Sequence, residues 1–118
     1  ARWCPPCLTE MEPLKQLRSK FSTDDLIIYS ICVSEPKEQW EECLNEYSLK
    51  NRGIECVHVT DYLGIDNYQK IRKQWKIDRM PYYVLINRKG QIIDFGTAAR
   101  PSNPQLVSRI EEAVKDTK

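Results

Sequence analysis

No stretch of this sequence is apolar for long enough to cross a bilayer. The longest run, Leu26 to Val33, is interrupted by Ser30 and falls far short of the roughly 20 residues a spanning helix needs. Charge of one sign is also missing. Eighteen Lys and Arg stand against seventeen Asp and Glu, a formal charge of +1, so no long-range field selects nucleic acid or anionic lipid as a partner. There are no repeats, low-complexity tracts or linkers, and 118 residues with 41% apolar and 30% charged side chains suit one globular domain rather than disorder. No charged segment followed by an apolar one precedes the first motif, so no signal peptide is visible. Because that motif begins at residue 3, the opening reads as a cut inside a longer protein, and residues 1–118 are expected to form a domain truncated at its N-terminus. Histidine is represented by His58 alone, which reads as a strand surface residue rather than a ligand. Five cysteines are too few for a disulfide-stapled mini-protein, and an odd number cannot pair completely within one chain.

The periodicity that is present describes alternating elements. Leu8, Met11, Leu14, Leu17 and Phe21 recur at helical spacing, with a kink expected from Pro13. Leu26 to Val33 is rich in branched residues and does not alternate, which predicts a strand covered on both faces, hence a parallel sheet. Ser34, Glu35 and Pro36 can cap and open a second helix, carried by Trp40, Cys43, Leu44 and Tyr47 up to a stop at Asn51-Arg52-Gly53. Ile54 to Val59 reads as a strand, and Tyr68, Ile71 and Trp75 as another helix. Tyr82–Ile86 and Gln91–Phe95 flank Asn87-Arg88-Lys89-Gly90, a hairpin signal. Asn103 and Pro104 can then open a last helix whose buried stripe is Leu106, Val107, Ile110, Ala113 and Val114. The order predicts an α/β three-layer sandwich with a mixed sheet and a C-terminal antiparallel hairpin.

Trp3-Cys4-Pro5-Pro6-Cys7 places two thiols at the start of a helix, at a spacing that lets them close a small disulfide. Cys4 falls at the N-cap, where the helix dipole and free N–H groups favour a thiolate; Cys7 lies about one turn further in and is expected to be the more shielded. Cys4 is therefore the expected nucleophile and Cys7 the resolving thiol. The two prolines remove two backbone donors and leave the Cys7 N–H as the principal amide near the Cys4 sulfur. The expected Cys4 pKa is below the ~8.5 of a free thiol without reaching the acidic extreme, which fits a reductant or isomerase better than a strong oxidant. Half of a zinc site and a passive disulfide are the competing readings. Zinc would need two further ligands, and only Cys56 with His58 offers them, without a second knuckle.

Trp-Cys-Pro-Pro-Cys followed by Leu8-Thr9-Glu10-Met11-Glu12-Pro13-Leu14 resembles the thioredoxin superfamily, specifically the TlpA/ResA-like thiol-disulfide oxidoreductases. Arg79-Met80-Pro81-Tyr82-Tyr83-Val84-Leu85-Ile86-Asn87-Arg88-Lys89-Gly90 resembles a second motif of that family, and Arg100-Pro101-Ser102 resembles the stretch before the last helix in its envelope members. The resemblance implies a thioredoxin-like fold with Pro81 in the cis form facing Cys4 and the Met80 backbone pairing with the substrate chain; Trp3 is placed to pack on that substrate. Glu35 matches the position of an acidic residue near the family's cysteines, where a carboxylate can take the Cys7 proton; it is equally an ordinary first-turn acid. Cys32 and Cys43 read as small buried hydrophobes, with a bridge between Cys43 and Cys56 left open.

A complete thioredoxin-like domain delivers its cysteines from a central strand, and two residues before Trp3 cannot form one. In the family that strand lies between Leu26–Val33 and Tyr82–Asn87. Its place is expected to be filled by chain outside this segment, or by a second copy through strand complementation or swapping. The sequence thus predicts a thiol-disulfide oxidoreductase acting on protein or peptide disulfides and re-reduced by a partner dithiol. It needs no cofactor beyond the Cys4–Cys7 couple and no nucleic acid. It is placed in the bacterial envelope or periplasm, with any membrane tether outside this segment. The alternatives are a cytosolic tryparedoxin- or nucleoredoxin-like reductase and a redox-silent binding module.

Overall fold

The structure, a computed structural model, describes residues 4–32, 36–58, 73–74, 76–77 and 81–116. The first helical segment is divided into α1 (Pro5–Thr9) and α2 (Met11–Lys20). The break follows from Pro13, whose ring clashes with the carbonyl four residues back, that of Thr9, where α1 ends. Pro13 itself lies in the first turn of α2, where a missing N–H costs nothing.

Strand β1 (Ile28–Cys32) and helix α3 (Lys37–Glu46) lead to strand β2 (Ile54–His58), which pairs parallel to β1 with Ile28 opposite Ile54 and Cys32 opposite His58. Pro36 is the N-cap of α3 rather than its first residue. The helix stops before the expected Asn51-Arg52-Gly53. Ser48 adopts a left-handed φ of 55°, its N–H donates to Asn45 O at 3.2 Å, and the Leu49 N–H donates to Leu44 O at 2.9 Å. This pair of bonds is the Schellman termination, and it carries Leu49 into the core.

Strands β3 (Val84–Ile86) and β4 (Ile92–Phe95) form the antiparallel hairpin. Asn87 Oδ1 accepts the N–H groups of Lys89 and Gln91, and Gly90 supplies φ +81°, the Asx-turn chemistry the sequence signals. A 3-10 turn (Gly96–Ala99) leads to helix α4 (Leu106–Lys115). Asn103 Oδ1 accepts the Gln105 N–H at 3.2 Å just ahead of α4, and the Arg109 guanidinium reaches back to Asp94 on β4 at 2.8 Å.

Two apolar clusters hold these elements. Ile28, Leu44, Leu49 and Ile54 pack with Met11, Leu14 and Trp40, while Leu17, Leu106 and Ile110 pack with Phe21, Leu85 and Val114; Leu26 touches both. Three expectations need correction. β1 is covered on one face only: Ile28 and Cys32 are buried, but Tyr29 and Ile31 are 64% and 60% exposed, because α2 and α3 both pack on the Ile28 side. His58 is 1% exposed, not a surface residue. It falls on the same side of β2 as Ile54, where its ring lies 5.1 Å from that of Trp40. Third, among the described residues the strands pair as two two-stranded sheets, β1–β2 and β3–β4, rather than as one mixed sheet. Residues 59–72 and Trp75, including most of the expected third helix, lie outside the described residues.

Candidate active site

Cys4 is the N-cap of α1, in extended backbone at φ −113° and ψ 91°, with Pro5 and Pro6 as the first two helical residues. The Leu8 N–H donates to Cys4 O at 3.1 Å, closing the first turn. That turn brings the Cα atoms of Cys4 and Cys7 to 5.3 Å, and the two sulfurs are joined in a disulfide, within the range such a bond requires. With prolines at N1 and N2, the first amide the turn can offer is that of Cys7.

The expected order of shielding is reversed. Cys4 is 4% exposed and Cys7 is half-buried. The first turn itself is open, with Pro5 and Pro6 exposed, and Cys7 lies on it.

The other cysteines do not join the pair. Cys32 and Cys43 are buried and in no disulfide, as expected of small apolar side chains, and Cys56 is half-buried and likewise unbridged. The Cys43–Cys56 bridge is not formed. Burial raises the Cys56 thiol pKa, with the Glu55 charge adding to the rise and Lys50 opposing it. Among the described residues no three His, Cys, Asp or Glu side chains gather closely enough to hold a metal ion.

Pro81 is half-buried, three residues before β3. Trp3, Glu35 and Met80 lie outside the described residues, as does the Met80–Pro81 bond on which the cis expectation falls.

The sequence reading assigns no role to Glu10, yet it is the best-held polar group near the cysteines. Glu10 is 5% exposed and occupies the junction of α1 and α2, its N–H donating to Cys7 O at 3.3 Å. One carboxylate oxygen accepts the Ser102 N–H at 2.8 Å, and the other accepts the Ser102 hydroxyl at 2.6 Å. Arg100 Nε stands 4.0 Å from the same carboxylate, close enough for an ion pair but not for a hydrogen bond. The Tyr83 phenol belongs to this group as well. Burial pushes its pKa well above the usual phenol range, Glu10 adds to the rise and Arg100 opposes it. The end of the cysteine helix, the residues following Pro81 and the loop before α4 therefore meet at one buried carboxylate. A signal for it exists in the sequence: Glu10, Leu14, Leu17 and Phe21 share one helical face, and a charge on an apolar stripe needs a partner.

A C-x-x-C disulfide at a helix N-cap, on a frame that joins a parallel strand-helix-strand unit to an antiparallel hairpin, defines a thioredoxin-like thiol redox protein. The chain belongs to the redoxin family, whose profile matches residues 1–114. That membership carries the thioredoxin-like α/β fold and a thiol-based oxidoreductase function, with which the Cys4–Cys7 disulfide agrees. No curated protein and no solved structure matches the chain.

Proposed function

We propose that this redoxin-family protein is a TlpA/ResA-like thiol-disulfide oxidoreductase that reduces protein or peptide disulfides. The observation that carries the reading is the Cys4–Cys7 disulfide at the start of a helix only five residues long and opened by two prolines. Such a start offers few amides and a short dipole to a Cys4 thiolate, so the thiolate gains only modest stabilisation from the helix. A thiolate stabilised only modestly leaves the dithiol a good electron donor.

In this reading the Cys4 thiolate attacks one sulfur of the substrate disulfide. The bond between the substrate sulfurs breaks, the displaced sulfur leaves as a thiolate and takes up a proton, and Cys4 is held in a mixed disulfide. Cys7 gives its proton to the Glu35 carboxylate and attacks the Cys4 sulfur. The Cys4–Cys7 bond forms and the second substrate thiolate departs, so the substrate gains the two electrons the protein loses. A partner dithiol restores the reduced pair, and no further cofactor enters. Trp3, the Met80 backbone and a cis Pro81 receive the substrate chain. A strand from another segment or a second copy fills the place between β1 and β3; the separation of the two sheets supports this. The setting is the bacterial envelope. A cytosolic reductase is the second reading, with which three cysteines outside any disulfide agree.

Equilibration with glutathione buffers, followed by mass-spectrometric counting of free thiols, tests the proposal. The expected result is a reversible two-electron couple near or below about −270 mV. A couple near about −120 mV would make the protein an oxidant instead, and no couple at all would make it a silent binding module.

A further inference from the structure

A second cluster of charge lies away from the cysteines, where the C-terminal ends of α2 and α3 converge. Lys15, Arg18, Ser22, Thr23 and Arg52 line a cavity of about 540 Å³ there, and among the described residues no carboxylate lines it. Lys15 donates to Tyr47 O at 3.1 Å, and Arg52 Nε donates to Ser48 O, both at the end of α3. Arg18 donates to Phe21 O and Ser22 O, each at 2.8 Å, at the end of α2, and to Leu26 O.

These carbonyls orient the cations without neutralising them. Each helix end carries only about −0.5 of a charge. Glu12 pairs with Lys15 at 2.9 Å but is 67% exposed. Arg18 is 7% exposed, and neither it nor Arg52 forms an ion pair among the described residues. A buried guanidinium with no carboxylate is uncommon, because buried charges are ordinarily paired. Three positive charges against one exposed carboxylate and two partial dipoles leave the cavity positive.

The donors left over have a direction. Arg18 Nε–H makes no bond among the described residues, and it is not sealed off, since Arg100 Nε is the one fully buried side-chain nitrogen there without a hydrogen bond. Gly53 lets the turn after Arg52 close on Arg18: a Cβ at residue 53 would sit 3.3 Å from Thr23 Cγ2 and 3.4 Å from Arg18 Cδ. Arg18, Arg52, Ser22 and Thr23 thus line one space.

We infer that this cavity binds a phosphate group, as the free ion or as a monoester. Planar forks match phosphate and carboxylate oxygens alike. The number of donors favours phosphate, because a carboxylate has two oxygens to offer and a phosphate monoester three on its free face.

The test titrates the full chain at constant ionic strength with inorganic phosphate, with glycerol phosphate and with acetate, following backbone amide shifts by NMR. Saturable shifts at residues 19–23 and 52–53 are expected with phosphate, weakened about tenfold or more in Arg52→Ala and only partly in Arg52→Lys. Arg52 is exposed and is no part of the α1 turn that carries Cys4 and Cys7, so both variants should fold and keep the parent's redox behaviour. Binding of both phosphates supports the site and makes the phosphoryl group the unit recognised; binding of the inorganic ion alone supports a free-ion site. Acetate binding as tightly as phosphate, no saturable shift, or equal affinity in Arg52→Ala would each overturn the inference.

Discussion

Ser102 holds Glu10 with both of its donors. Its N–H reaches one carboxylate oxygen at 2.8 Å and its hydroxyl the other at 2.6 Å, across 92 positions of sequence. Hydrogen bonds to a buried charge are worth about 1.5–3 kcal/mol each, and loss of one leaves the carboxylate undersolvated. Ser102→Ala should therefore destabilise the protein by about 1–3 kcal/mol in urea unfolding. Ser102→Pro, which removes the N–H as well, should cost more. Equal midpoints for Ser102→Ala and the parent would mean that Glu10 is not held this way in solution.

Gly53 and Gly90 both have positive φ, +77° and +81°, but in different surroundings. An alanine at either position carries the left-handed backbone cost of about 1–2 kcal/mol. At Gly53 it also meets Thr23 Cγ2 at 3.3 Å and Arg18 Cδ at 3.4 Å, while at Gly90 nothing lies within 4 Å. Gly53→Ala should accordingly lower the thermal midpoint more than Gly90→Ala. The reverse order would contradict the packing of Arg18 beneath the turn.

Tyr83 gives the fold an alkaline limit. Its phenol is raised first by burial and then by Glu10, with Arg100 opposing, so the folded state keeps the proton at pH values where the unfolded chain, ionising near ~10, has lost it. The unfolded state then binds fewer protons, and stability falls as pH rises. The contribution is fully present below pH ~10 and is lost as pH climbs toward the folded value. Tyr83→Phe should decline less steeply above pH ~10 in non-reducing urea unfolding. Parallel curves for parent and variant would show that Tyr83 does not control this limb.

Much of the frame was legible in the sequence because local chemistry dictates it. The Pro13 break, the Asn87–Gly90 turn and the stripe of α4 each follow from residues within one or two turns of one another. What escaped depends on partners far along the chain. Ile31 and Ile28 belong to one branched run, and nothing in that run tells which face α2 and α3 will cover. His58 looks like a surface residue until Trp40, 18 positions earlier, is placed against it. Glu10 stands within the run that follows the cysteines, but its role needs Ser102. Mutation separates the two faces of β1: Ile28→Ala should cost about 2–5 kcal/mol, whereas Ile31→Thr should stay within about 0.5 kcal/mol. A large loss at Ile31 would show that the second face is covered in solution.

The division of labour between the two active-site cysteines can be tested against their burial. Position at the N-cap favours Cys4 as the nucleophile, yet Cys4 is the more enclosed of the pair in the disulfide form. If opening of the disulfide frees the Cys4 sulfur, Cys7→Ser should accumulate a mixed disulfide through Cys4, because no resolving thiol remains to release it. Cys4→Ser should accumulate none. Non-reducing mass spectrometry after incubation with a disulfide peptide reads both variants directly. Adducts confined to Cys7 in the Cys4→Ser variant would reverse the roles and make exposure, not helix position, the factor that selects the attacking sulfur.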